Sequence, residues 1–266
     1  MQLNPLLKNN VTVINGDEYT DTIVFAHGFG SDQHAWKEVI ASFPDQYRMV
    51  LYDNTGGGKA DPSAFSPNKY DNLHSYADDL IDICEALNIG NAILVAHSVS
   101  GMIGTLAAIR EPQRFRKMVL VGASPRYLND EGYHGGFTHD ELDTLFSAMA
   151  NNYFAWVSGF SAAAMSNPER PELARDFASS LSAIRPDIAQ SVARVIFQSD
   201  YRQVLPQLNT ETLLLQTKED IAVPMEVAEY LNEHIANSRL EVVDARGHFP
   251  HISAAGAVSE AIKNFI

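Results

Sequence analysis

The chain has 266 residues, 45% of them hydrophobic and 20% charged, the balance of an ordinary globular protein and not of a disordered or fibrous one. Its 19 Lys and Arg are outnumbered by 33 Asp and Glu. The formal charge of −14 repels phosphate backbones and anionic lipid, so neither nucleic acid nor a membrane is expected as a partner. The single cysteine, Cys84, excludes an intrachain disulfide and sits in an apolar run expected to bury it as an inert thiol.

The N-terminus carries only Lys8 ahead of the first apolar run and does not read as a signal peptide. No run approaches the roughly 18–20 apolar residues of a membrane span. A cytoplasmic protein is expected.

Short β-rich runs then follow in order: Val11 to Ile14, Thr22 to Ala26, Arg48 to Tyr52, Ala92 to Ala96, Met118 to Val121, Thr212 to Gln216 and Leu240 to Asp244. Several are apolar throughout, as in strands covered on both faces. Helical segments such as Tyr76 to Leu87 and Met225 to His234 alternate with them. That alternation predicts an α/β fold with a mainly parallel sheet. From Tyr127 to Phe197 the alternation stops. Helices are expected over 139–157, 170–183 and 186–198, with Pro168, Pro171 and Pro186 as breaks. The division expected is a core of 1–126 and 198–266 with a helical insertion at 127–197.

The strand Ala92 to Ala96 runs into His97-Ser98-Val99-Ser100-Gly101 and then an apolar helical run. Strand, sharp turn and helix with a serine at the tip form a nucleophile elbow. The positions two residues either side of the serine must be small, and here they are Ala96 and Ser100. A serine nucleophile needs a base and an orienting carboxylate, in the order serine, acid, histidine. Asp220, with Glu219 as its rival, follows the strand ending near Gln216. His248 follows the next strand, after Gly247. His251 is the competing base, but its place at the entry to a helix suggests a surface or capping role. A metal at His248 and His251 lacks a third ligand in the sequence.

His27-Gly28-Phe29-Gly30 directly follows the strand Thr22 to Ala26. Two main-chain N–H donors are needed for a tetrahedral oxyanion, and Phe29 and Val99 are the candidates. Dinucleotide and phosphate loops are excluded. The first needs glycine where Gln33 stands, and the second needs glycine and Ser or Thr where Asp53 and Ala60 flank Gly56-Gly57-Gly58-Lys59.

The elbow, Gly28-Phe29-Gly30, Ser124-Pro125-Arg126-Tyr127-Leu128-Asn129-Asp130, Gly135-Gly136-Phe137, Phe197-Gln198-Ser199-Asp200 and Gly247-His248 together resemble the RsbQ-like α/β-hydrolases. That group includes the plant karrikin and strigolactone receptors. The resemblance runs from about residue 5 to the C-terminus. It implies a V-shaped lid of four helices and a Ser98–His248–Asp220 triad that needs no cofactor and no metal. It also implies a small apolar cavity with Phe29, Tyr127, Phe137, Trp156, Phe160, Phe197 and Phe249 as its wall. Ala96 departs from the glycine usual before the elbow. The segments 168–173 and 245–251 are closer to the bacterial branch than to the plant one.

The function expected is hydrolysis of a small hydrophobic ester or lactone. The alternative is a ligand sensor that hydrolyses slowly and acts through a partner, such as a phosphatase. A haloalkane dehalogenase is excluded, because its elbow nucleophile is a carboxylate.

Overall fold

The computed structural model describes residues 3–16, 21–43 and 46–266. Seven strands form one sheet: β1 (Thr12–Ile14), β2 (Thr22–Ala26), β3 (Arg48–Tyr52), β4 (Ala92–His97), β5 (Phe115–Val121), β6 (Glu211–Glu219) and β7 (Ser238–Arg246). Their order is β1-β3-β2-β4-β5-β6-β7, with β1 antiparallel to β3 and every other pairing parallel.

The central strands β2, β3 and β4 are buried along their whole length, which is why they read as unbroken apolar runs. Alternate residues feed opposite faces. Val24, Val50 and Leu94 pack with Leu80 and Leu106 on one face. Ile23, Phe25, Leu51 and Val95 pack with Trp36, Val258 and Ile262 on the other.

Three strands are several residues longer than the sequence runs suggest, β6 extending from Glu211 to Glu219 where the run reads Thr212 to Gln216. β5 begins at Phe115, through Arg116 and Lys117, whose charges are used locally by Asp21 and by the main-chain carbonyl of Phe265. β7 is an edge strand with mostly exposed side chains, so much of it carries no hydrophobic signal.

Four helices lie between β5 and β6: His139–Asn151, Tyr153–Met165, Pro171–Ser182 and Pro186–Gln198. The sequence reading of one helix over 139–157 is corrected here. Asn152 leaves the helical region at φ −153°, ψ 83°, and its side chain accepts from the Ala155 N–H at 3.2 Å, capping a new helix. Tyr153–Met165 runs back toward the sheet and packs on Pro171–Ser182.

The parallel strands bring their C-terminal ends to one edge. His27 to Gly30 follows β2, Ser98 follows β4, Asp220 follows β6, and Gly247 and His248 follow β7.

Candidate active site

Ser98 stands between β4 and the helix Val99–Arg110 with φ 56° and ψ −126°, a region that non-glycine residues rarely occupy. Such strain costs about 1–3 kcal/mol and persists where the surroundings over-determine it. They do so here. The Ser98 N–H donates to the Val121 carbonyl at 2.8 Å, and its carbonyl accepts from the Gly101 N–H at 2.9 Å. A Cβ on Gly101 would lie 2.5 Å from the Ala123 Cβ, so the helix can leave the sheet at this angle only with glycine there. Ser100 uses its hydroxyl to hold the next loop, donating to the His27 carbonyl at 2.5 Å.

The structure brings Ser98, His248 and Asp220 into one hydrogen-bonded run. His248 Nε2 is 2.8 Å from Ser98 Oγ, and His248 Nδ1 is 2.7 Å from Asp220 Oδ2. Asp220 Oδ1 accepts from the Ala222 and Val223 N–H groups at 2.8 and 3.1 Å, which fixes the carboxylate plane. The Asp220 side chain is 1% exposed and that of His248 8%. Because Asp220 accepts, Nδ1 carries the proton and Nε2 turns a lone pair to the Ser98 hydroxyl. Glu219, the rival acid, points elsewhere: its carboxylate lies 3.6 Å from the Arg246 guanidinium.

Gly247 sets the approach of His248. It has φ +83°, and a Cβ there would lie 2.1 Å from the Met165 carbonyl oxygen. The inserted helix ends against this loop, and the His248 N–H donates to the Ala164 carbonyl at 2.7 Å. Gly247→Ala is expected to cost roughly 3 kcal/mol or more through positive φ and backbone overlap. A urea midpoint within error of wild type contradicts this account of the loop.

The loop after β2 lies against the elbow. A Cβ on Gly28 would meet His97 Nδ1 at 2.5 Å and the Ser98 Cβ at 3.0 Å. The His27 ring is used within the loop, with Nδ1 on the Gly28 carbonyl at 2.8 Å and Nε2 accepting from the Asn54 N–H at 2.9 Å. The Phe29 main chain therefore sits beside Ser98, as does that of Val99, the next residue in the chain.

A narrow apolar chamber of about 20 Å³ opens onto Ser98 and His248. Among the described residues, no three His, Cys, Asp or Glu side chains are grouped to hold a metal ion.

A family pattern described as the alpha/beta hydrolase fold matches residues 21–255. The chain belongs to the α/β-hydrolase family. This hydrolase-family chain is 43% identical to a strigolactone esterase from Pisum sativum, over 94% of this chain and 92% of the relative. It is 42% identical to the Karrikin insensitive 2 receptor CA of Petunia hybrida, with the same coverage. A solved hydrolase from Oleispira antarctica superposes with a TM-score of 0.94 at 31% identity, covering 98% of this chain and 96% of that one.

In this α/β-hydrolase five of the seven expected wall residues line the chamber: Phe29, Tyr127, Phe160, Phe197 and Phe249. Phe137 and Trp156 do not. Each stands behind a lining ring, Phe137 edge-on to Phe197 at 5.4 Å and Trp156 stacked on Phe160 at 4.9 Å. Ile196 and Ala222 line the chamber and were not anticipated. Ile196 carried a signal in the amphipathic spacing of its helix, whereas Ala222 carried none. Tyr127 gives more than a ring, since its hydroxyl lies 3.3 Å from Ser98 Oγ. Burial pushes that phenol well above its ordinary pKa, so it stays neutral.

His251 is corrected most clearly. It is fully buried, not on the surface, with its ring 4.3 Å from those of both Trp36 and His97. His97 Nε2 donates to the His248 carbonyl at 2.7 Å and so holds the base from behind. Both ring nitrogens of His251 and Nδ1 of His97 lack hydrogen-bond partners among the described residues.

Burial, with His248 and His27 nearby, pulls the His251 pKa down from 6.5 to about 3, and His97 is lowered in the same direction. Between pH 6.5 and 3 the unfolded chain therefore binds more protons than the folded one. Stability falls as pH drops through that window, by up to about 1.4 kcal/mol per pH unit for each such histidine. Urea unfolding at pH 7, 6 and 5 checks this. His251→Leu is expected to flatten the slope, and an unchanged slope contradicts the assignment.

Proposed function

We propose that this α/β-hydrolase is a carboxylic-ester hydrolase acting on a small hydrophobic ester or lactone. The reading is carried by one observation, the buried run Asp220–His248–Ser98 on the floor of an apolar chamber. Ser98 Oγ attacks the carbonyl carbon while His248 Nε2 takes its proton. Asp220 holds the imidazole tautomer and stabilises the imidazolium. The N–H groups of Phe29 and Val99 receive the oxyanion. His248 then gives its proton to the departing alcohol oxygen, leaving an acyl group on Ser98. Water, deprotonated by His248, releases the acid in the same way. Water is the only second reactant, so no cofactor takes part.

Residues 127–197 act as the lid in this reading. Their aromatic rings exclude bulk water and favour apolar groups around the carbonyl. No described helix is long and apolar enough to cross a membrane. The test is p-nitrophenyl acetate. An initial burst of about one p-nitrophenolate per chain, followed by turnover, is expected. Release at the buffer rate contradicts the reading.

A second reading draws on the 42% identity to the karrikin-insensitive receptor. The same chemistry would then run slowly, and a partner protein would read the state of the lid. The steady rate after the burst separates the two. Turnover near the enzyme median of about 10 s⁻¹ favours metabolic hydrolysis. A burst with almost no turnover favours sensing.

A further inference from the structure

The two ends of the inserted helices are tied together by a closed ring of four charges that the reaction above does not use. The outgoing stem, after β5, carries Arg126 and Asp130, and the returning stem, before β6, carries Asp200 and Arg202. Arg126 Nη1 donates to Asp200 Oδ2 at 2.9 Å, and Arg202 Nη2 donates to the same oxygen at 2.7 Å. Arg202 Nη2 also donates to Asp130 Oδ2 at 2.8 Å, and Asp130 closes the ring 3.6 Å from the Arg126 guanidinium. The Arg202 guanidinium lies over the Tyr133 ring at 4.8 Å, and the Tyr133 hydroxyl donates to the Arg126 carbonyl at 2.8 Å. The hydrogen bond from Arg202 holds the Asp130 carboxyl below its ordinary pKa, so it stays charged near neutrality. Single exposed ion pairs contribute little, but these two arginine side chains are only 17% and 20% exposed and each bridges both aspartates.

We infer that this ring positions the catalytic chamber: it keeps the two stems joined, so that Tyr127 and Phe197 stay over Ser98 throughout turnover. The inference rests on the serine-hydrolase reading. Tyr127 directly follows Arg126, and Phe197 stands shortly before Asp200. Their rings meet edge-on at 5.1 Å, and both line the chamber. The main chain repeats the tie. Arg126 and Asp200 pair as an antiparallel bridge, and the Tyr201 N–H donates to the Pro125 carbonyl at 2.8 Å. Arg126 and Asp200 are thus positioning residues that act through Tyr127 and Phe197.

A chamber of about 20 Å³ holds about one water, so an ester enters only when part of the wall yields. The stem side is pinned by the ring and by the Tyr127 carbonyl, which accepts from the Phe137 N–H at 3.0 Å. Phe160 is carried by the helix Tyr153–Met165, away from both stems in the chain. Motion there admits the ester while the stems hold. What the stems hold is the Tyr127 hydroxyl. Ser98 gives its proton to His248 Nε2, so the Tyr127 O–H is the donor in the 3.3 Å contact with Ser98 Oγ. When water releases the acyl group, Ser98 Oγ departs with growing negative charge, and a donor kept at that atom lowers the barrier. A misplacement of about 1 Å at such a site costs up to ~10²-fold.

The test replaces the ring by a covalent link. Arg126 and Asp200 face each other as a non-hydrogen-bonded pair, for which Cα atoms lie about 4.5 Å apart. That falls within the roughly 4.4–6.8 Å of a disulfide. The chain's only cysteine, Cys84, is buried and does not compete. The Arg126→Cys/Asp200→Cys double variant is assayed with 4-methylumbelliferyl acetate, first oxidised and then reduced and desalted. The reduced form, with the ring broken, is expected to show kcat at least roughly tenfold below wild type, with KM changed less than about threefold. The oxidised form is expected to return to within about threefold of the wild-type kcat. Asp200→Asn, nearly isosteric, is a second variant that should lose at least about threefold in kcat while keeping a cooperative urea transition. A kcat that does not differ between the two redox states overturns the inference and leaves the hydrolase reading standing. So does an oxidised form slower than the reduced one, which means that the stems part during turnover, and so does Asp200→Asn with wild-type kcat. A wild-type chain with neither burst nor turnover overturns the hydrolase reading, and the inference with it.

Discussion

Replacing Ser98 with alanine is expected to lower kcat for p-nitrophenyl acetate on the order of 10⁶-fold, close to the loss of the whole triad. The residue leaves behind an oxyanion site and a closed chamber, which alone give some 10³–10⁴-fold over water. Folding is expected to survive. The elbow is held by the main-chain bonds to Val121 and Gly101, which do not involve the hydroxyl. Ser98→Gly separates strain from chemistry. It loses the same activity, yet it relieves the φ 56° conformation, so it is expected to be about 1 kcal/mol more stable than Ser98→Ala. Urea midpoints and ester kinetics on the two variants check both statements. A Ser98→Ala chain with more than a few per cent of wild-type activity contradicts the first.

Asp220→Asn is the second large effect, a loss of about 10⁴-fold in kcat with the fold intact. The reason is the orientation of the replacement amide. Asp220 Oδ1 accepts from the N–H groups of Ala222 and Val223. In the variant only the amide oxygen can take that position, so its NH2 group must face His248 Nδ1. A donor there forces the imidazole proton onto Nε2, where it opposes the Ser98 hydroxyl instead of receiving its proton. Glu219→Gln is the control. Its carboxylate lies toward Arg246, and the expected change in kcat is less than about twofold, as for an exposed pair. A large loss in Glu219→Gln with a small one in Asp220→Asn reverses the assignment.

Much of this was legible in the sequence because it depends on local rules. β2, β3 and β4 are covered on both faces and therefore appear as continuous apolar runs. In a parallel sheet the residues that follow such runs share one edge, so Phe29, Ser98, Asp220 and His248 could be placed near one another from spacing alone. The small residues flanking Ser98 encode the close approach of strand and helix, whether glycine or not.

What was not legible depends on distant partners. His251 is polar and stands at the start of a short helix, a pattern typical of a surface. Its burial is decided by Trp36 and His97, which are remote in the chain. Phe137 and Trp156 have the same composition and spacing as the rings that do line the chamber. Only the packing of the inserted helices makes them second-layer supports for Phe197 and Phe160. The break at Asn152 had a signal in Asn151-Asn152, two poor helix formers of which the second is a favoured N-cap, but apolar residues continue on either side and mask it.

The central claim is that Ser98 is a nucleophile activated by His248. Its most direct test is reaction of the full chain with a fluorophosphonate, followed by intact-mass measurement and peptide mapping. The account predicts one adduct per chain, on the peptide that contains Ser98, and none on Ser98→Ala. An unlabelled wild-type chain, or equal labelling of Ser98→Ala, contradicts it.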